Sequence, residues 1–522
     1  MERVVNFEGL EQLASRLTAA PLSTDKLTIC SHQGEGFTRF VEKLSKYPHS
    51  DRGKLLYSFL NELQTLSITA NEKLKLLNTV REATLECSAA LAKTSLCHKT
   101  AKAISLSQAL LKHLSGNYRS VIKQFLTNGA RSLPYPLLAQ SILFAMEALS
   151  LSYLRSNQFY IAAPTNLWIN MHSLHRIAVM CKLDSVPNPG KARGGAPSVT
   201  IHTEYMRVLL LACGHPNHLS SNDLTLVYNA LKEWAPMSQL ARGHTTGIYM
   251  VDIDANQPPV YVSEQPGQKK SYYRIYLEPL LENLATKLQN FPNARVIDTV
   301  PPRLIRSLCE AWSYELKRQL ERTPNQRQQE IIYGLPFIHS VVSGVNDFAD
   351  FLSYFGEDGE QDHTTNVGEV TPLKVEEINS SSNGFCFELS GEHMQRIVPG
   401  ELVAIRDDEH WQLGIVRWKH TTPRLSALIG VELQHGKLTS CASRTNQLPD
   451  KTGTFIPALL LVDKELSGRQ LIVPTLTFKQ GDRIQLIDSH GNNTNEEMTA
   501  LLESTGSICS FVLAAANYQQ SD

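Results

Sequence analysis

A multidomain α+β protein is what this sequence predicts: a mostly α-helical, repeat-like N-terminal region, then an antiparallel β-barrel, then a small β-rich C-terminal subdomain. Three observations carry that prediction. Apolar residues recur at three- and four-residue steps through roughly the first 235 positions. After Arg327, short β-branched and aromatic runs alternate with Gly, Pro and Asn turns. At 522 residues, against about 150 per domain, the chain has room for three or four cores. The expected divisions are 1–235 (helical), 236–320 (a β-hairpin plus helices leading to the barrel), 321–445 (barrel) and 446–522 (C-terminal subdomain).

In 53–68, Leu55, Leu56, Phe59, Leu60, Leu63 and Leu66 form one helical face, and Leu74, Leu77, Val80 and Leu91 do the same in 71–94. Helices are expected again at 102–126, 136–154, 166–182, 203–214 and 222–234, the last capped by Ser221, Asn222 or Asp223 and closed by Pro236. No 34-residue signature assigns a particular repeat family. The stretch 137–154 is apolar, but Gln140, Glu147 and several serines fit a core helix better than a bilayer span. VPNPGKARGGAP at 186–197 reads as a connector, because its GKARGG lacks the glycine–lysine–Ser/Thr order of a phosphate loop.

Alternation at 247–262 predicts a hairpin around Ala255–Pro259, followed by helices at 272–290 and 301–320. Strands are expected at 331–342, 367–377, 384–389, 400–406, 411–419, 425–433, 455–462 and 470–477, with an exposed acidic insertion at 356–363. The strands after 455 form either a second small barrel or the completion of the first.

Composition narrows the function. Fifty Lys+Arg against 51 Asp+Glu leaves no basic surplus, so no duplex nucleic acid partner is expected and any anion site must be a local arginine cluster. Nine scattered cysteines without CxxC, and no signal-peptide layout, point to reduced thiols in the cytoplasm. Cys213 with His215 and His218, and His172 with His175, lack metal-site spacing. Asp252 and Asp254 form a DxD that could meet one cation but runs into a turn sequence. No nucleophile elbow, phosphate loop or zinc-protease helix is present, so no enzyme, cofactor or metal is expected.

The distinctive signal lies in the barrel. Arg318, Arg322 and Arg327 precede or open its first strand, and Asn379, Ser381 and Gly384 form an N-x-S-x-x-G turn. VPGELVAI (398–405), WQLGIVRWKH (411–420) and ALIGVELQ (427–434) follow in order. Over about 322–436 this succession resembles the PilZ domain, the bacterial receptor module for cyclic di-GMP, and the helical front resembles that of large PilZ-containing proteins. The resemblance implies that Arg318, Arg322 and Arg327 wrap the ligand against Asn379, Ser381 and Gly384. Arginine suits both parts of a cyclic dinucleotide, its fork bridging phosphate oxygens and its plane stacking on a base. Gly384 would permit a backbone geometry that other residues resist.

Three departures stand out: Arg322 and Arg327 are five apart rather than four, the distance from Arg327 to Asn379 is long, and Asn replaces the commoner Asp. Two readings therefore stay open. One is a non-enzymatic cyclic di-GMP effector in which ligand orders the arginine segment and changes how the helical region meets an unidentified protein partner. The other is a helical scaffold whose degenerate barrel binds no nucleotide.

Overall fold

The computed structural model describes residues 7–98, 101–127, 133–187, 199–242, 247–262, 269, 271–291, 296–315, 321–355, 366–391, 393–408, 410–422, 426–445, 454–463 and 468–515. Two units result, 1–216 with 221–316, and 317–522 with the stretch 217–220. The connector glycines at 190–195 and the acidic insertion at 356–363 lie outside the described residues.

The first unit opens with α1 (Phe7–Arg16), α2 (Gly34–Ser45), α3 (His49–Thr65), α4 (Ala70–His98), α5 (Ala101–Thr127), α6 (Tyr135–Gln158), α7 (Leu167–Met180), α8 (Ile201–Cys213) and α9 (Ser221–Trp234). From α3 to α9 their order follows the expected apolar stripes, and α1 and α2 precede the first of these. The long helix α6 is apolar enough to cross a membrane, yet two thirds of that stretch is buried, and it packs against α5, α7, α8 and α9. Strands β1 (Gln239–Ala241), β2 (Tyr249–Asp252), β3 (Val260–Tyr261) and β4 (Tyr272–Tyr276) make a sheet in the order β1-β4-β2-β3. The hairpin around 255–259 is present as β2 and β3, with Tyr249 opposite Tyr261.

The expected helix over 272–290 is corrected here. Tyr272–Tyr276 is a strand with Ile275 buried, paired with both β1 and β2, and helix α10 (Glu278–Asn290) begins only at the Glu278–Pro279 step. Helix α11 (Pro302–Ser313) closes the unit.

One buried charge in this unit stands out. Lys73 on α4 is fully buried, its Nζ 3.4 Å from the Gln64 carbonyl at the end of α3 and 3.3 Å from Ser120 Oγ. Burial holds its pKa down at about 8 against 10.5. The unfolded chain therefore binds the extra proton between about pH 8 and 10.5, and stability contributed at this site rises with pH through that window. Lys73→Met is expected to stabilise the protein by about 1–3 kcal/mol at pH 7 and to flatten the rise above pH 8. Urea unfolding of both proteins at pH 7 and pH 10 checks this, and a variant less stable than the parent at pH 7 contradicts it.

The second unit holds β5 (Thr323–Tyr333), α12 (Leu335–Ser343), α13 (Phe348–Phe355), β6 (Leu373–Ser381), β7 (Gly384–Leu389), α14 (His393–Arg396), β8 (Leu402–Asp407), β9 (His410–Thr421) and β10 (Ala427–Leu433). Then come β11 (Lys437–Thr445), β12 (Ile456–Asp463), β13 (Gly468–Pro474), β14 (Arg483–Asp488), β15 (Asn493–Ser504) and β16 (Ile508–Ala515). They form two closed six-stranded barrels, β10-β7-β6-β5-β8-β9 and β11-β12-β13-β16-β15-β14.

The late strands thus build a barrel of their own. It starts at Lys437, ahead of the expected 446, because Gly436 at φ 123° turns the chain directly from β10 into β11. The strand expected at 331–342 is also corrected: Gly334 at φ 88° ends β5 at Tyr333, Pro336 starts a helix, and Leu335 and Ile338 bury one face.

Each barrel fills its interior, the first with Ile331, Phe387, Val403, Val416 and Ile429, the second with Leu460, Leu471, Leu486 and Phe511. A third apolar cluster joins them, with Ile332, Leu402, Leu413 and Ile415 of the first barrel against Leu459, Leu461, Ile472 and Ile508 of the second. Barrel closure removes the open edges that an alternating sheet would otherwise expose.

Candidate ligand-binding face of the middle barrel

The β6–β7 hairpin turns through Ser382 and Asn383, with Ser381 paired to Gly384. Phe385 and Phe387 pack on the barrel interior, as do Ile429 and Val431, so Cys386 and Gly430 between them belong to the outer face. Register then lines up one row across five strands. Pro324 lies opposite Asn379, Asn379 opposite Cys386, Cys386 opposite Gly430, and Gly430 opposite Trp418.

Arg322, immediately before β5, leans over this row. Its Nη1 donates to Asn379 Oδ1 at 2.9 Å, and its guanidinium carbon stands 6.0 Å from the centre of the Trp418 ring. The indole covers Gly430 so closely that a Cβ there would overlap the ring. The tryptophan of the VRW strand, so placed, therefore requires the glycine of the IGV strand.

Among the expected site residues, the structure brings together Arg322, Asn379 and the hairpin carrying Ser381 and Gly384. Ser381 Oγ lies 3.4 Å from the Gly384 carbonyl, within the turn itself. Arg327 is exposed on β5 opposite Glu377, separated from Pro324 by an irregular step that adds one residue. Asn325 Nδ2 donates to Glu377 Oε1 at 2.9 Å in that bulge. Arg318 falls in 316–320, outside the described residues.

The reason expected for Gly384 is corrected. Its φ is not in the left-handed region; instead, a Cβ at this position would overlap the Val431 carbonyl oxygen of β10. Close approach of two backbones demands the glycine here.

Two features of the face escaped the sequence. Trp418 stood in a strand motif, but only the register puts it beneath Arg322. Arg417 is the extra residue of a bulge in β9, and it pairs with Glu432 and Glu503 at once. Glu432 also takes a 3.4 Å hydrogen bond from Asn383 Nδ2 in the hairpin turn.

Several residues weighed as metal ligands make structural contacts. Asp254 binds Arg16 at 2.5 Å and Arg176 at 2.6 Å, and its own amide donates to Asp252 Oδ1. His172 lies 2.6 Å from the Tyr205 hydroxyl, and burial holds its pKa down at about 4, so it is a neutral core side chain near pH 7. His215 pairs with the Tyr261 hydroxyl at 2.7 Å. No group of three or more His, Cys, Asp or Glu able to hold a metal occurs among the described residues.

Comparison with known proteins agrees with this architecture. Residues 35–244 match the model of the N-terminal domain of the cyclic-di-GMP receptor FimW. Residues 248–371 and 354–437 match its middle PilZ domain, and 441–515 match its C-terminal β-barrel domain. A curated relative, "Cyclic-di-GMP receptor FimW" of Pseudomonas aeruginosa, is 22% identical over 559 aligned positions, covering 94% of this chain and 92% of the relative. With the arginine segment, the N-x-S-x-x-G hairpin and the closed barrel all inside the matched middle region, the chain carries a PilZ domain over 248–437, set in sequence between a helical domain and a second barrel.

Proposed function

We propose that this protein is a non-enzymatic cyclic di-GMP-binding effector whose ligand sits on the outer face of the middle barrel. The observation that carries the reading is the arrangement of Arg322, held over Trp418 and tied to Asn379, inside a PilZ domain. A flat base between two planes needs about 3.5 Å of contact on each side. The 6.0 Å separation of guanidinium and indole therefore opens into a stacking slot with a small outward swing of a long, flexible side chain. In that swing Arg322 exchanges Asn379 for a phosphate oxygen, freeing the Asn379 side-chain amide for a guanine edge, with the Ser381 hydroxyl of the same hairpin as a further contact. Arg327, exposed on the same strand, and Arg318 supply further charge for the second phosphodiester.

The arginine segment follows the helical domain directly in sequence, so ordering it on ligand binding offers a route to a protein partner of that domain. A cytoplasmic location suits a soluble second messenger, and nine scattered cysteines without a CxxC suit a reducing compartment.

Calorimetric titration of the full chain with cyclic di-GMP is the direct test. Binding at micromolar or tighter affinity, about −8 kcal/mol, is expected. Absence of heat and of any thermal shift at saturating ligand would favour the scaffold reading instead.

A further inference from the structure

Strand β9 serves two surfaces along its length. Its first half turns Leu413 and Ile415 into the apolar cluster shared with the second barrel. Beyond the extra residue Arg417, its second half turns Trp418 out beneath Arg322. Arg417 stands at the junction and is held from both sides. Its Nε donates to Glu432 Oε2 at 2.6 Å, its Nη2 to Glu503 Oε2 at 3.0 Å, and its Nη1 to the other oxygen of Glu503. Glu503 belongs to β15 of the second barrel, at an irregular step in its pairing with β16.

Glu432 also holds the turn of the Asn379–Gly384 hairpin through Asn383. Three side-chain contacts thus connect the second barrel to the hairpin: Glu503 to Arg417, Arg417 to Glu432, Glu432 to Asn383. An exposed ion pair contributes little, but here Arg417 is only 34% and Glu503 22% exposed, and the two-pronged geometry restricts a planar guanidinium strongly.

Resting on the reading of that hairpin as the dinucleotide site, we infer that Arg417 is a positioning residue through which Glu503 of the second barrel sets the affinity of the middle barrel for its ligand. Coupling between sites is reciprocal, so ligand on the middle barrel also steadies β15 in the second.

The experiment compares the full-length parent with Glu503→Gln and Thr505→Ala. Thr505 makes another contact between the barrels, its Oγ1 donating to the Gly400 carbonyl at 2.7 Å, without touching Arg417. Glu503→Gln is expected to weaken cyclic di-GMP binding about tenfold. Thr505→Ala is expected to stay within about twofold of the parent. In the parent, ligand is expected to slow hydrogen exchange over Asn493–Ser504, and Glu503→Gln is expected to lose that protection. Without ligand, Glu503→Gln is expected to speed exchange in the Ser381–Gly384 turn. Parent-like affinity in Glu503→Gln, or an equal loss in both variants, overturns the inference. A flat titration of the parent overturns the functional reading instead, and unchanged turn exchange in Glu503→Gln then still rejects the coupling.

Discussion

Arg322→Ala is expected to weaken cyclic di-GMP binding by about ten- to a hundredfold while leaving thermal stability unchanged. The side chain is half exposed and packs against no core, so its removal creates no cavity. What is lost is a charge-assisted hydrogen bond to phosphate, on the order of 1.5–3 kcal/mol, together with the plane that would close over a base. Arg322→Lys keeps the charge but not the plane or the fork, and is expected to recover only part of the loss. Arg327→Ala, on the strand that follows Arg322 but away from the Trp418 row, is expected to cost less than Arg322→Ala. Calorimetry on the four proteins decides, and parent-like binding by Arg322→Ala would remove this residue from the site.

Gly384→Ala is expected to damage both fold and binding, for a reason unlike the usual cost of alanine in a turn. The added Cβ meets the carbonyl oxygen of Val431 across the β7–β10 pairing, and a backbone atom in a closed barrel has nowhere to retreat. Overpacking of this kind costs about 1–3 kcal/mol. The strand that shifts to relieve it carries the hairpin and hence Asn379, so ligand affinity falls as well. Urea unfolding and titration of the same preparation measure both effects. Ser382→Ala, in the two-residue turn beside it, is the comparison expected to change neither. A Gly384→Ala protein with parent-like unfolding and binding would contradict the close-approach account.

Much of this protein was legible residue by residue. Leu56, Phe59, Leu60 and Leu63 declare the buried face of α3 by their spacing, and all four are fully buried. The N-x-S-x-x-G turn, the PG strand start and the IGV strand announce the middle barrel in order. The misreadings share a cause. Tyr272–Tyr276 and Leu335–Ser343 are short apolar segments whose local pattern suits either helix or strand, and the choice is made by what they meet. The first is flanked by two partner strands, whereas the second is cut from β5 by Gly334 and started as a helix by Pro336.

By itself, then, the sequence determined the division into helical and β regions, and it singled out Arg318, Arg322, Arg327, Asn379, Ser381 and Gly384 as the candidate set. These are properties of periodicity, turn chemistry and motif spacing, all local along the chain. Tertiary structure alone decided that Trp418 lies beneath Arg322, that Gly384 is a glycine of close approach, and that Arg417 joins Glu432 to Glu503. Each of those depends on strand register and on single-residue bulges, where one inserted residue changes which side chains meet.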